Sequence, residues 1–161
     1  MTSLASVLKN EIRDNGYLTI ERYFDLCLGH PAHGYYVTRD PFGKAGDFTT
    51  APEITQIFGE LIGAWLADLW LKAGKPDFTL LECGPGRGNL MADILRGTKN
   101  VPGFHDALDL TLMEISPVLK KKQSDVLQMD SPNWISSLSD VPSGKPIFAV
   151  ANEFIDALGV R

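Results

Sequence analysis

The residues able to do chemistry stand in three places along this sequence, each directly after an apolar run. The first is Glu82-Cys83-Gly84-Pro85-Gly86-Arg87-Gly88, an acid followed by three glycines within five residues. Residues 78–81 before it read as a buried parallel strand, and residues 89–96 after it as a helix closed by Gly97. Such a strand delivers the chain to the carboxyl edge of a sheet, where open α/β folds bind ligands. Glycine lets a ligand approach the backbone with no Cβ in the way, and a tight turn alone would not need three of them. The second place is Glu114, at the end of the apolar run 108–113. The third is Asn152-Glu153-Phe154-Ile155-Asp156, which follows the strand-like run 146–151.

Spacing decides between ligands. A dinucleotide fingerprint, G-x-G-x-x-G, needs glycine at position 89 and an acid about twenty residues on. The chain has Asn89, and Glu114 lies thirty residues after Gly84. Both features count against a nicotinamide-dependent dehydrogenase. The pattern present, E-x-G-x-G-x-G, resembles motif I of S-adenosylmethionine (SAM)-dependent methyltransferases. That resemblance implies a loop packed against the amino-acid and ribose portions of SAM.

The elements that must position these residues alternate along the chain. Leu4, Val7, Leu8 and Ile12 recur at helical spacing up to Asn15-Gly16, and Thr19 caps a second helix that stops at Gly29. Cys27 falls on the apolar side of that helix and is expected in the core. His30 and His33 read as loop-packing residues, because no acid or cysteine stands nearby to complete a metal set. After a polar loop at 43–50, Thr50-Ala51-Pro52-Glu53 spells a capping box in which Glu53 reaches back. It opens a helix of about twenty residues whose apolar stripe, including Ile57, Leu61 and Trp65, is expected to be core. Ser116-Pro117 opens a further helix carrying Lys120-Lys121-Lys122 as a solvated face, Trp134-Ile135 reads as a third short strand, and 146–151 as a fourth, buried one. The expectation is a doubly wound, Rossmann-like α/β sheet of about four strands, with an N-terminal helical extension and lid loop over 1–50 and a SAM-binding core over 51–161. A sheet of this kind that stops here leaves an apolar edge uncovered, so we expect part of a longer protein.

With 161 residues, 44% hydrophobic and 22% charged, the chain has a globular composition and length for one domain. A formal charge of −5 argues against a nucleic-acid surface. No apolar run approaches membrane-spanning length, and two dispersed cysteines suit neither a disulfide framework nor a zinc site. A reducing cytoplasm is the expected compartment.

One family is narrowed down by Gly46-Asp47-Phe48-Thr49-Thr50-Ala51-Pro52-Glu53-Ile54, by Ile57-Phe58-Gly59-Glu60-Leu61-Ile62-Gly63 and by Asn152-Glu153-Phe154-Ile155-Asp156-Ala157-Leu158. The chain resembles the MidA-like SAM-dependent methyltransferases, whose mitochondrial members are assembly factors of respiratory complex I. Members are longer than this chain, and usually carry proline where it has Gly159. The resemblance implies methyl transfer from SAM, for the mitochondrial members onto an arginine of a protein substrate such as a complex I subunit or its bacterial counterpart, with no nucleic acid and no membrane insertion. It implies cofactor contacts from Glu82, Gly84, Gly86, Gly88, Glu114 and Asn152, with Glu114 accepting from the ribose hydroxyls, and closure over the cofactor by Asp47 and Thr50. Glu153 resembles the glutamate with which arginine methyltransferases hold a guanidinium, and a carboxylate there suits that planar fork. Asp156 is either a second catalytic carboxylate for the same cation or a simple helix cap. The alternative to an enzyme is a non-catalytic assembly or scaffold module, or a SAM-binding fragment without turnover.

Overall fold

The computed structural model describes residues 3–38, 46–47, 49–127 and 132–158; residues 43–45, Phe48 and Gly159 lie outside them. Helix α1 (Leu4–Asn15) starts where the Ser3 hydroxyl accepts the Ser6 N–H and ends at Gly16, whose φ of 80° suits a left-handed cap. Thr19 caps α2 (Ile20–Gly29) in the same way, through the Arg22 N–H. The Arg22 guanidinium returns to Glu11 at 2.5 Å, holding the two helices together, and the short α3 (Tyr35–Thr38) follows. Cys27 is half-buried rather than in the core, because these two helices bury little of their length; Leu26 alone is fully enclosed in α2.

The expected twenty-residue helix is broken. Ala51–Ile54 forms a single turn, α4, and Thr55 then adopts an extended conformation (φ −150°, ψ 134°). Its hydroxyl accepts the Ile57 N–H and starts α5 (Gln56–Lys72) afresh. Thr50 makes no side-chain cap and Glu53 does not reach back, because its carboxylate is engaged elsewhere. The apolar stripe is also turned. Gly59, Gly63, Leu66, Ala67 and Trp70 are buried, whereas Ile57, Leu61 and Trp65 are 61%, 65% and 59% exposed. Closeness of approach explains the reversal. A Cβ on Gly59 would lie 2.4 Å from the Asp93 Cβ, and one on Gly63 2.8 Å from the Ile94 carbonyl oxygen, so the small residues face the neighbouring helix.

That neighbour is α6 (Asn89–Thr98), which follows the central strand β1 (Phe78–Cys83). Gly97 does not stop it: the helix ends one residue later, and Gly97 packs on Glu60. Then come β2 (Leu108–Met113), α7 (Pro117–Leu127), β3 (Asn133–Ile135), a 3-10 turn at Leu138–Asp140, β4 (Ile147–Ala151) and a second 3-10 turn at Ile155–Ala157. The strands are parallel in the order β3-β2-β1-β4, with Leu80 opposite both Leu110 and Phe148. This is the α/β sheet expected from the sequence. Every residue of β1 is buried, since it has a strand on either side, and its Phe78 packs against Trp70 and Phe104, which themselves meet edge to face. The apolar β4 is an edge strand, with Ile147 48% exposed. The chain walks outward from β1 to β3 and then crosses back to β4, so the strand order reverses between β1 and β4. Open α/β sheets bind ligands at the carboxyl ends beside such a reversal.

Candidate cofactor and substrate site

A cleft of about 720 Å³ opens there. Its floor is the glycine loop, in which Gly84, Gly86 and Gly88 hold φ of 66°, 54° and 88°. Three left-handed residues in five are affordable only without Cβ atoms, so the spacing read as ligand approach is first a requirement of the backbone. Gly84 and Gly86 line the cleft. Gly88 does not; it faces α7, where a Cβ would come within 3.3 Å of the Gln123 Cα.

Gln123 is the residue that sequence reasoning missed. It is fully buried on α7 and uses its whole amide: Nε2 donates to the Gly86 carbonyl (2.8 Å) and to Glu114 Oε2 (3.2 Å), and Oε1 accepts from Trp134 Nε1 (2.8 Å). One side chain thus ties the glycine loop, the acid after β2 and strand β3. The available signal was a glutamine four residues from both Leu119 and Leu127, an amide in the middle of a buried row.

Glu114 is buried, and its Oε1 accepts the N–H groups of Ile115 (2.8 Å) and Ser116 (2.7 Å). Burial pushes its pKa up, against the lowering pull of its Ser116, Gln123 and Ile115 donors. Glu82 is 2% exposed, and burial alone raises its pKa to about 8. Three buried side-chain oxygens lack a partner among the described residues, on Thr79, Glu82 and Thr111. Of these residues only Glu82 lines the cleft. A buried acceptor without a donor, beside a cradle of glycines, fits a ligand bearing a cationic or hydroxyl donor.

The opposite wall comes from the β4 end. Asn152, Glu153 and Asp156 all line the cleft, and Glu153 holds a φ of 47°, rare for a residue with a side chain. Tyr36 reaches the same wall from α3; burial, and then the charge of Asp156, pushes its hydroxyl pKa up. Thr50 lines the cleft as well, but Asp47 does not, its carboxylate accepting the Tyr35 hydroxyl instead. His30 stacks on His33 with ring centroids 4.9 Å apart, and among the described residues no group of three or more His, Cys, Asp or Glu stands ready to hold a metal. No described helix is long and apolar enough to cross a membrane.

Comparison with known proteins agrees with this geometry. The family described as "Putative S-adenosyl-L-methionine-dependent methyltransferase" matches residues 61–161. The mitochondrial protein arginine methyltransferase NDUFAF7 of Xenopus laevis is 38% identical over 94% of this chain, and that of Homo sapiens 37% identical over all of it. The chain spans about two fifths of these relatives, 40% and 42% of their lengths. A crystal structure from Burkholderia thailandensis, bound to S-adenosyl-homocysteine, superposes with a TM-score of 0.78 at 25% identity, covering 97% of this chain and 42% of that one. A second structure from the same organism gives 0.71 at 28% identity, covering 98% and 40%. With more than half its length matched, and with the fold and glycine loop that the match requires, the chain belongs to this family of SAM-dependent methyltransferases.

Proposed function

We propose that the chain supplies the cofactor cleft of a SAM-dependent methyltransferase acting on an arginine side chain of a protein. The observation that carries this reading is the charge of the cleft. Asp25, Glu53, Glu114, Glu153 and Asp156 line it against two arginines, Arg22 and Arg87, together with Glu82, which burial keeps protonated until a cation replaces the proton. Both arginines already face carboxylates, Glu11 and Glu53. Such a wall suits a cationic cofactor and a cationic substrate together.

When bound, SAM would supply a sulfonium methyl group to a substrate nitrogen lone pair, with the thioether S-adenosylhomocysteine as the leaving group. The chain's residues do the rest. The unpartnered Glu82 oxygen takes the cofactor's ammonium group, and Glu114 accepts a ribose hydroxyl at Oε2, which Gln123 holds in place. Gly84 and Gly86 let the amino-acid portion lie against the backbone, while Asn152 and Thr50 border it. Glu153 would grip the substrate guanidinium and, with Asp156, offset its charge, and the proton that the attacking nitrogen gives up would pass through these carboxylates to water. A delocalised guanidinium is a poor nucleophile, so this positioning supplies much of the rate.

The names of the relatives support arginine as the acceptor, and the S-adenosyl-homocysteine in a structural neighbour supports the cofactor. We assign residues 1–50 to an N-terminal helical extension and a lid loop and 51–161 to the core, and place the protein in a reducing compartment, the bacterial cytoplasm or a mitochondrion. The substrate class is a subunit of respiratory complex I or its bacterial counterpart. Calorimetry with SAM and S-adenosylhomocysteine, followed by radiolabelled methyl transfer to that subunit, tests the reading. Micromolar binding of both ligands is expected; no heat with either would overturn it.

A further inference from the structure

Resting on the cofactor reading above, we infer that Glu53 is a positioning residue that clasps the glycine loop, holding it from the α4 turn in the shape that receives the cofactor. Its carboxylate reaches from the α4 turn, which precedes β1 in the chain, to the loop and helix that follow β1. Oε1 accepts Asn89 Nδ2 at 2.8 Å, and Oε2 lies 3.7 Å from Arg87 Nη1. Arg87 stands between Gly86 and Gly88, and Asn89 is the first residue of α6, so one carboxylate holds the far half of the loop. The Glu53 side chain is only 13% exposed and that of Arg87 29%, which shields the pair from the screening that weakens surface ion pairs.

The clasp hangs from a rigid base. Glu60 and Arg96 form a second bridge at 3.0 Å, each partner seven residues further along than Glu53 and Asn89. Gly59 meets Leu90 and Asp93 while Gly63 meets Ile94 and Thr98, so α5 runs along α6 in the same direction, pressed against it beside this bridge. The helix breaks at the extended Thr55, and Glu53 on the α4 turn gives its carboxylate to the loop instead of capping its own helix. The glycine loop needs such a hold. Its left-handed glycines have many other conformations open to them, and a loop that must be ordered at binding loses affinity.

The test measures S-adenosylhomocysteine affinity by calorimetry on the 161-residue chain, well below the melting temperature of each variant. Glu53→Arg and Arg87→Glu should each weaken binding about tenfold or more. The swapped pair, Glu53→Arg with Arg87→Glu, should recover most of that loss, because the Asn89 amide can turn to offer Oδ1 to an arginine. The milder Glu53→Gln keeps a partner for Asn89, loses the charge, and should fall between. A residue that serves stability alone would lower the ligand-free melting temperature and leave affinity untouched. Equal affinity in Glu53→Arg and wild type, or a swapped pair that binds no better than Glu53→Arg, overturns the clasp while leaving the cofactor reading intact. Failure of the wild type to bind overturns both.

Discussion

A β-carbon on Gly84 would stand 2.4 Å from Cδ2 of Phe154, so the glycine loop and the β4 loop that carries Glu153 are in direct contact. The cofactor side and the proposed substrate side of the cleft are therefore one packed unit. Gly84→Ala must move the ring and also strain a backbone at φ 66°. It should destabilise the protein by about 2 kcal/mol or more and weaken S-adenosylhomocysteine binding. Thermal melts and calorimetry check both effects. Adding Phe154→Ala should restore part of the stability; a Gly84→Ala protein that melts like wild type would show that the contact yields without cost.

Glu82 gives the protein a pH dependence whose sign follows from its burial. Its pKa is raised from the model-peptide value of 4.5 to about 8 in the fold. Between those values the unfolded chain has lost the proton that the folded one retains, so stability falls as pH rises through the window and levels off above it. Glu82→Gln should flatten the curve of melting temperature against pH between 5 and 8. If SAM's ammonium settles against this oxygen, binding near neutral pH should also release a proton, which calorimetry in buffers of different ionisation enthalpy will detect. An unchanged pH curve in Glu82→Gln would assign the dependence to other groups.

Among the described residues, the α5 row of Ile57, Leu61 and Trp65 and Ile147 on the edge strand β4 face water. Exposed rows and bare strand edges invite association. The chain should scatter light as oligomers at concentrations where a closed domain stays monomeric. Leu61→Lys with Ile147→Lys should reduce that scattering while shifting stability by only about 0.5 kcal/mol at each site, since neither side chain is enclosed. A wild-type chain that stays monomeric throughout would show that these faces are inert.

The strands, the glycine loop and the acids after β1, β2 and β4 were legible because each is written in consecutive residues: an apolar run, then glycines or a carboxylate. Contacts between segments were not. Thr50-Ala51-Pro52-Glu53 is a valid capping box by its local pattern, but Asn89 and Arg87 lie 36 and 34 residues away in sequence and win the carboxylate. The buried face of α5 was misread because large apolar residues outweigh glycine in any periodicity, whereas in packing Gly59 and Gly63 fix the line of closest approach. Gln123 was hidden for the same reason, a polar residue in a row of leucines whose three partners come from three other elements. Gly88 and Asp47 sit in the segments the pattern marked, yet one faces α7 and the other Tyr35.

Glu153 offers the sharpest separation of structure from chemistry. It lines the cleft beside Asn152 and Asp156, it is exposed, and it holds a left-handed backbone that costs a residue with a side chain about 1–2 kcal/mol. Glu153→Gln keeps the shape and removes the negative charge. Hydrogen bonds to charged groups contribute about 1.5–3 kcal/mol, and losing one or two of that kind from the transition state lowers the rate by roughly a hundredfold or more. SAM affinity should stay within about twofold of wild type, because Glu82, Glu114 and the glycine loop are untouched. Glu153→Gly, which relieves the backbone, should be no less stable than wild type and yet equally poor at transfer. The measurement, made on a full-length protein, is radiolabelled methyl transfer to a candidate arginine-bearing protein at saturating SAM, paired with a thermal melt of each variant. Wild-type transfer by Glu153→Gln would reduce Glu153 to a loop residue and remove the main physical support for arginine as the acceptor.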